Sequence, residues 1–429
     1  MRNDEVRDAA GLGGTLLRGT TNRIHETHAG ISGRVFAGIG LPAQPVKVIH
    51  GAVSKLAYRT VGEALYTGVN VVGHVAPRGD GRALDERPAG STALAVLNGM
   101  YGDLVQREAP ALSTSMTIRR QGRAVPAHRS ELHAAYPGAT GRLVVFLHGL
   151  VETELSWCYR SVHHHGEPGV TYGSLLEAHL GYTPVFIRYN TGLHISTNGR
   201  VLAELLDELV DAWPVPVEDL VLIGHSMGGL VARSALHQAA GGTEAAEPWT
   251  AAVRDTVTLG TPHLGAPLER GVHALTHTLA RLPETRPIAN VLALRSVGIK
   301  DLRRGTVVDD DWANRDLDAR EPARHTHVPL HDGARHFVIL ATLTRDPDTR
   351  LGSVFGDLLV PPISAVGDTG DEHRLAVPAD HVLRLGNLNH FDLLNHPKAY
   401  KQIRAWLQNR PEGATPDPPD PLTPTTPTG

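Results

Sequence analysis

The chain has 429 residues, of which 41% are hydrophobic and 20% are charged. This composition is typical of a globular protein, and the length allows a substantial core and about two or three domains. The net charge is −4 and no long basic block is present, which argues against nucleic acid as a partner. A single cysteine, Cys158, excludes an intrachain disulfide and a cysteine-based metal cluster.

The N-terminus has no basic region leading into an apolar stretch, so the sequence predicts no signal peptide. No apolar run approaches the ~18 residues that a transmembrane helix requires. A lone cysteine fits a reducing compartment. We therefore expect a cytoplasmic protein without a membrane span.

The first quarter of the chain predicts a helical extension. Residues 1–22 are polar and glycine-rich, which predicts a flexible leader. Residues 23–110 carry helical hydrophobic patterns, and Ser91 is the predicted N-cap of the last helix. We expect these amphipathic helices to pack against the main domain. Covering an active site and contacting a membrane surface peripherally are the alternatives.

In residues 111–409, short apolar runs alternate with helical patterns, which indicates parallel βαβ units. Helical patterns with polar joins interrupt this alternation at 264–335 and predict a cap or lid over the carboxyl ends of the strands. The proline-rich segment 410–429 predicts a disordered tail. Strands are predicted at 116–119, 143–147, 183–189, 220–223, 255–259, 336–340 and 381–385.

The run from Gly224 through Ser226 to Gly228 lies between a buried strand pattern and a helical pattern. This is the context that the G-x-S-x-G nucleophile elbow requires, since glycines permit the sharp turn and the serine oxygen projects from the sheet. The helix then directs its first N–H groups at the reacting atom. Ser226 is the predicted nucleophile, and a Gly-Ser turn with a solvated hydroxyl is the alternative.

A serine nucleophile needs a base to accept its proton, and in this architecture the order along the chain is Ser, then Asp or Glu, then His. His390 lies between the last predicted strand and the last predicted helix, so we select it as the base. Its competitor is His396, which falls within the helical pattern before Pro397.

The acid belongs after the strand that begins near residue 336. Asp357 has apolar neighbours that favour a partly dry site, where pairing with an imidazolium is stronger, and it is the predicted acid. Asp346, in an exposed-looking turn, is the alternative. The run 309–311 consists of three aspartates and predicts a solvated acidic segment.

An oxyanion hole should use two backbone N–H groups, one of them from Met227, directly after the nucleophile. The other is expected from Leu150, because Gly149 lets the main chain turn inward after the strand at 143–147. We expect His148 to fix this loop. The histidines at 163–165 predict an exposed loop rather than a zinc site, because no second cluster of ligands is evident.

Five motifs extend this pattern: His148–Leu150, Arg188–Gly192, Gly224–Gly229, Gly260–Gly265 and Gly356–Pro361. Together they resemble the α/β-hydrolases of the bacterial lipase/esterase type, nearest to the GPI inositol-deacylase-like branch. The resemblance covers roughly residues 115–408, and the N-terminal helices resemble an extension carried by bacterial members. Leu358 stands where lipases often carry a second glycine.

The resemblance implies an α/β-hydrolase fold with a mostly parallel central sheet flanked by helices. It also implies an acyl-ester hydrolase in which Ser226, Asp357 and His390 form the triad. Since the chain has no membrane span, the GPI substrate of the eukaryotic members is not carried over.

We therefore predict a serine hydrolase that cleaves carboxylic esters, lipid esters included, through an acyl-enzyme. No metal and no cofactor are expected. A thioesterase, amidase or acyltransferase on the same scaffold is one alternative. A non-catalytic binding protein with a hydrolase fold is another.

Overall fold

A computed structural model describes most of residues 111–409, including part of the predicted cap, and parts of the N-terminal extension. The described residues are 2–15, 83–241, 248–265, 296–313, 326–345, 362–367 and 375–409, with Lys55, Arg59, Glu63, Asp357 and Val360.

The described strands form one sheet of eight strands. They are β1 (Thr117–Arg120), β2 (Arg123–Val125), β3 (Arg142–Leu147), β4 (Thr183–Arg188), β5 (Asp219–His225), β6 (Val253–Leu259), β7 (Arg335–Thr342) and β8 (Val382–Gly386). The order across the sheet is β2-β1-β4-β3-β5-β6-β7-β8. Strands β3 to β8 run parallel, and β1 is antiparallel to both of its neighbours. All seven predicted strands are present.

Helices cover both faces of this sheet. They are α1 (3–15), α2 (Pro88–Glu108), α3 (Arg129–Ala135), α4 (Ser161–His165), α5 (Tyr172–Leu180), α6 (Ile195–Ala212), α7 (Met227–Ala240), α8 (Pro248–Ala252), α9 (Val297–Arg304), α10 (Pro362–Val366) and α11 (Pro397–Gln408). In the described ranges, no helix combines the length and apolar character needed to cross a bilayer.

The strands read as continuous apolar runs because both of their faces are buried. In β3, Leu143 and Val145 pack with residues of α6 and α7 on one face of the sheet. The intervening Val144 and Phe146 pack with residues of α5 and α11 on the other face. This alternation fixes the central strands between two helical layers and brings their carboxyl ends to one edge.

The leader predicted at 1–22 contains a helix at 3–15. Tertiary contacts explain the difference. The Glu5 carboxylate accepts the N–H of Leu84 at 2.8 Å, and Leu12 is buried in an apolar cluster with residues of α2. A glycine-rich pattern carries no sign of such distant partners, so this part of the leader is docked rather than free.

The helix predicted from Ser91 begins one turn earlier, with Arg87 as N-cap and Pro88 at the first helical position. A proline there has its φ angle already set for the helix and needs no partner for an N–H. Ser91 is instead buried inside the helix. Its predicted capping role is therefore wrong.

Within the predicted cap, α9 is described, whereas residues 266–295 and 314–325 lie outside the described residues. Of the aspartates at 309–311, Asp310 is exposed as predicted, but Asp311 is not. Asp311 is 1% exposed and accepts the N–H of Thr326 at 2.8 Å. Asp346, most of residues 23–82 and the tail from 410 also lie outside the described residues.

Candidate active site

A sharp turn joins β5 to α7 at Ser226, whose φ of 51° and ψ of −119° are rare for a residue with a side chain. The flanking glycines make this turn possible. A Cβ atom on Gly224 would lie 2.4 Å from the nitrogen of Gly229. One on Gly228 would lie 2.2 Å from the carbonyl oxygen of Leu147. The serine itself thus carries a strained backbone, and it remains partly exposed.

The turn is fixed to the end of β6 beside the ring of His390. The N–H of Ser226 donates to the carbonyl oxygen of Leu259 at 2.8 Å. Gly260 follows with a φ of 58°, and a Cβ atom there would lie only 2.9 Å from Cε1 of His390. Ser226 and the His390 ring therefore flank the same strand end at the carboxyl edge of the sheet.

His390 is paired with Asp357. Its Nδ1 lies 2.6 Å from Oδ2 of Asp357, and the two residues are 3% and 2% exposed. The other carboxylate oxygen of Asp357 accepts the N–H of Val360 at 2.8 Å. The structure thus brings the predicted acid and the predicted base together, both beside the Ser226 turn.

The competing histidine has a structural role. His396 is the N-cap residue of α11, and its Nδ1 accepts the N–H of Lys398 at 3.2 Å. The histidines at 163–165 lie in the short helix α4 rather than in a loop. Among the described residues, no group of three or more His, Cys, Asp or Glu side chains is arranged to hold a metal ion.

The loop after β3 approaches the serine closely, because a Cβ atom on Gly149 would lie 3.0 Å from Cβ of Ser226. Leu150 follows in this loop, and Met227 opens α7. Among the residues that the structure describes, no protein acceptor takes the backbone N–H of Leu150 or of Met227.

His148 holds the same loop in place. Its ring stacks on Tyr189 at 4.5 Å, and Nδ1 lies 2.9 Å from the carbonyl oxygen of Gly149. Complete burial lowers the pKa of His148, which favours the neutral ring. In that form Nδ1–H donates to Gly149 and Nε2 accepts the N–H of Tyr189 at 3.4 Å.

Two buried ionisable residues next to the Ser226 turn, Glu152 and His225, were not predicted from the sequence. Oε2 of Glu152 lies 3.0 Å from Nδ1 of His225 and accepts the N–H of Gly149 at 2.7 Å. Burial is the largest single effect and opposes both charges, but the attraction between the two groups, together with their hydrogen bonds to the His390 and Gly149 backbones, outweighs it. The pKa of His225 is therefore raised and that of Glu152 is lowered. The partners are 73 residues apart, and no local pattern signals such a contact.

The N-terminal extension reaches this edge of the sheet through α2. A Cβ atom on Gly99 would lie 2.5 Å from Cγ1 of Val151, next to Leu150. The hydroxyl of Ser296, directly before α9, donates to the carbonyl oxygen of Gly99 at 2.6 Å. Both the extension and a described part of the predicted cap therefore pack beside the loop after β3.

Comparison with known proteins shows a family similarity over part of the chain. Residues 139–329 match the family model described as the PGAP1-like alpha/beta domain. The sheet order and the two helical layers are those of an α/β-hydrolase fold. The matched segment, less than half of the chain, is similar to the PGAP1-like alpha/beta domain, which confirms the predicted resemblance, and the sheet confirms the predicted fold class. No curated protein matches the chain significantly.

Several solved bacterial structures are similar to the chain. The mature lipase BlEst2 of Bacillus licheniformis is 19% identical with a TM-score of 0.36, covering 62% of this chain and 91% of that one. EstA from Clostridium botulinum is 14% identical with a TM-score of 0.36, covering 63% and 88%. Lipase 1 from Pelosinus fermentans is 14% identical with a TM-score of 0.34, covering 62% and 98%. These TM-scores are too low to carry the activities of those proteins to this chain.

Proposed function

We propose that this α/β hydrolase cleaves carboxylic esters through an acyl-enzyme, with Ser226 as nucleophile, His390 as base and Asp357 as acid. The observation that carries the proposal is the buried 2.6 Å contact between His390 and Asp357 beside the strained serine turn. A positive φ at a residue with a side chain costs of order 1–3 kcal/mol and concentrates at functional sites. A solvated Gly-Ser turn would have no need of that strain.

The reaction follows from the donors and acceptors available. With Nδ1–H of His390 donated to Asp357, Nε2 carries the lone pair that accepts the Ser226 proton. The serine oxygen then attacks the ester carbonyl carbon, and the imidazolium that forms is stabilised by the carboxylate. His390 returns the proton to the leaving alcohol, and water releases the acyl group by the same steps in reverse.

Charge develops on the carbonyl oxygen during both attacks. The N–H groups of Met227 and Leu150 are proposed to stabilise it, since neither is taken by a protein acceptor in the described structure. Because the donors are backbone groups, the side chains at these two positions should matter less than the shape of the loop and of the turn.

In the described structure, the hydrogen bonds of His390 are from its ring to Asp357 and from the His225 ring to its carbonyl oxygen. A hydrogen bond from the Ser226 hydroxyl is not among them. Catalytic hydrogen bonds are often long in unliganded sites and tighten only when substrate binds. Rotation of the serine side chain is therefore part of the proposal.

Apolar side chains near the site favour an apolar acyl group. Phe391, directly after His390, is 41% exposed, and Leu155 is 38% exposed on the segment that follows Glu152. Met100, on the α2 helix of the extension, is 38% exposed. An acyl ester, including one presented by a lipid surface, would cover these groups on binding.

A substrate panel tests the reaction. The parent and Ser226→Ala are assayed with aryl esters of graded acyl length, and with matched thioesters and amides, with and without an alcohol acceptor. The proposal expects ester hydrolysis in the parent and none in the variant. A preference for thioesters, amides or the alcohol acceptor would reassign the reaction. If the parent acts on none of these substrates, the binding-protein alternative is favoured.

A further inference from the structure

One carboxylate oxygen ties the loop after β3 to the serine turn. Oε2 of Glu152 accepts two N–H groups, from Gly149 at 2.7 Å and from Nδ1 of His225 at 3.0 Å. Glu152 is 7% exposed and His225 is fully buried. The backbone immediately before Leu150 and the residue immediately before Ser226 thus share one anchor.

The far side of the His225 ring reaches the third element of the site. Its Nε2 lies 3.2 Å from the carbonyl oxygen of His390. A carbonyl oxygen and a carboxylate are both acceptors, so the two contacts are satisfied together only when both ring nitrogens carry protons. For an ionised Glu152, the hydrogen-bond pattern therefore requires a His225 imidazolium. The raised pKa of His225 and the lowered pKa of Glu152 agree with this requirement.

We infer that the ion pair between Glu152 and His225 is a positioning device, which holds the oxyanion loop and the backbone of His390 in fixed relation to Ser226. This inference rests on the proposed function, because only a catalytic role for Ser226 makes that geometry matter. The pair touches no substrate and acts through Gly149 and His390. Glu152 and His225 are therefore positioning residues.

The surroundings of the pair favour this role over a purely stabilising one. A buried ion pair adds little to stability compared with apolar residues of the same size, because desolvation offsets the attraction. Besides Glu152, the charged group that acts on His225 is Asp357, itself part of the proposed triad. The rings of His390 and Trp157 lie against the His225 ring, with centroids 4.7 and 6.5 Å away. Every polar contact of His225 thus leads to a proposed catalytic element.

Glu152→Gln removes the charge and keeps the shape. The neutral amide no longer stabilises the imidazolium, so His225 becomes neutral. With only one N–H left, the ring keeps only one of its two hydrogen bonds. We expect kcat for ester hydrolysis to fall on the order of 10–100-fold, with KM nearly unchanged, because small displacements of catalytic groups carry costs of that size.

Glu154→Gln is the matched control. Glu154 lies two residues further along and is also buried, but it pairs with Arg188 at 2.7 and 2.5 Å. The Glu154→Gln substitution should lower the melting temperature and leave kcat nearly unchanged. Equal losses of kcat in both variants, or a loss of melting temperature alone in Glu152→Gln, would overturn the inference.

His225→Asn separates the two halves of the device, since the asparagine amide keeps a donor near Nδ1 and removes the one at Nε2. It should lower kcat as Glu152→Gln does, with KM again nearly unchanged. In parallel, the nitrogen NMR signals of the His225 imidazole are recorded at neutral pH. They should show two protonated nitrogens in the parent and only one in Glu152→Gln.

The spectrum does not depend on substrate, so it separates the two proposals. A parent with two protonated nitrogens but no esterase activity would sink the proposed function alone. A parent with a neutral His225 would sink the positioning device, whatever the activity.

Discussion

The ring of His390 and the carboxylate of Asp357 are joined by a 2.6 Å hydrogen bond across 33 residues of sequence. The contact is buried and forms beside the strand end that also holds the backbone of Ser226. A carboxylate on Nδ1 sets the tautomer of the ring and leaves Nε2 as its acceptor. That arrangement suits a base that takes a proton from a serine.

Asp357→Asn should leave the fold intact and disable the base. An amide can donate as well as accept, so it no longer dictates the tautomer of His390 or stabilises the imidazolium. We expect kcat for aryl esters to fall on the order of 10³–10⁴-fold. Asp346→Asn, at the alternative acid, should retain the parent kcat. The reverse ranking would transfer the acid role to Asp346.

Gly260→Ala should displace the His390 ring. The glycine has a φ of 58°, and a Cβ atom would lie 2.9 Å from Cε1 and 3.0 Å from Nδ1 of that ring. We expect kcat to fall by about tenfold or more, together with a lower melting temperature. Gly138→Ala is the control, because a Cβ atom there meets nothing within 4 Å. A parent-like kcat in Gly260→Ala would show that the ring position is not critical.

Much of this arrangement could be predicted because it follows from local patterns. Strands buried on both faces leave apolar runs, such as Leu143 to Leu147, that are visible without a structure. Ser226 carries a motif, and His390 lies at the position that the order of the strands and helices requires. The apolar neighbours of Asp357 favour it as the acid.

What could not be predicted depends on distant partners. Glu152 and His225 meet across 73 residues, and nothing near either one signals the contact. The helix at 3–15 is held by Leu84, and Asp311 is buried by its contact with Thr326. In each case a polar residue that suggests solvent exposure in the sequence finds its partner only in the folded chain.

The pair of Glu152 and His225 should make stability depend on pH. The folded pKa of His225 is raised above its ordinary value of 6.5, so its contribution is fully present below that value and is lost as pH rises through the folded pKa. The lowered pKa of Glu152 makes its contribution present above its ordinary value of 4.5 and lost as pH falls through the folded pKa.

Thermal unfolding of the parent and of His225→Gln, measured from mildly acidic to alkaline pH, checks this. Near neutral pH the parent should be the more stable, and its advantage should shrink as pH rises. An advantage that grows with pH would contradict a charged His225.

Gly99→Val tests the docking of α2 beside the loop after β3. The added side chain would meet Cγ1 of Val151 at 2.5 Å and force the helix away from the loop. We expect a lower melting temperature and a lower kcat, because Leu150 lies next to Val151. Val96→Ala, on a 48% exposed side chain of the same helix, should change neither. If both variants behave like the parent, the extension does not support the site.

Labelling with a fluorophosphonate probe tests most simply whether Ser226 is an activated nucleophile, since the probe reacts with such serines without needing the natural substrate. Intact-mass and peptide analysis of the parent should show one adduct, on Ser226, and Ser226→Ala should show none. No adduct in the folded parent, or an adduct that persists in Ser226→Ala, would contradict the assignment.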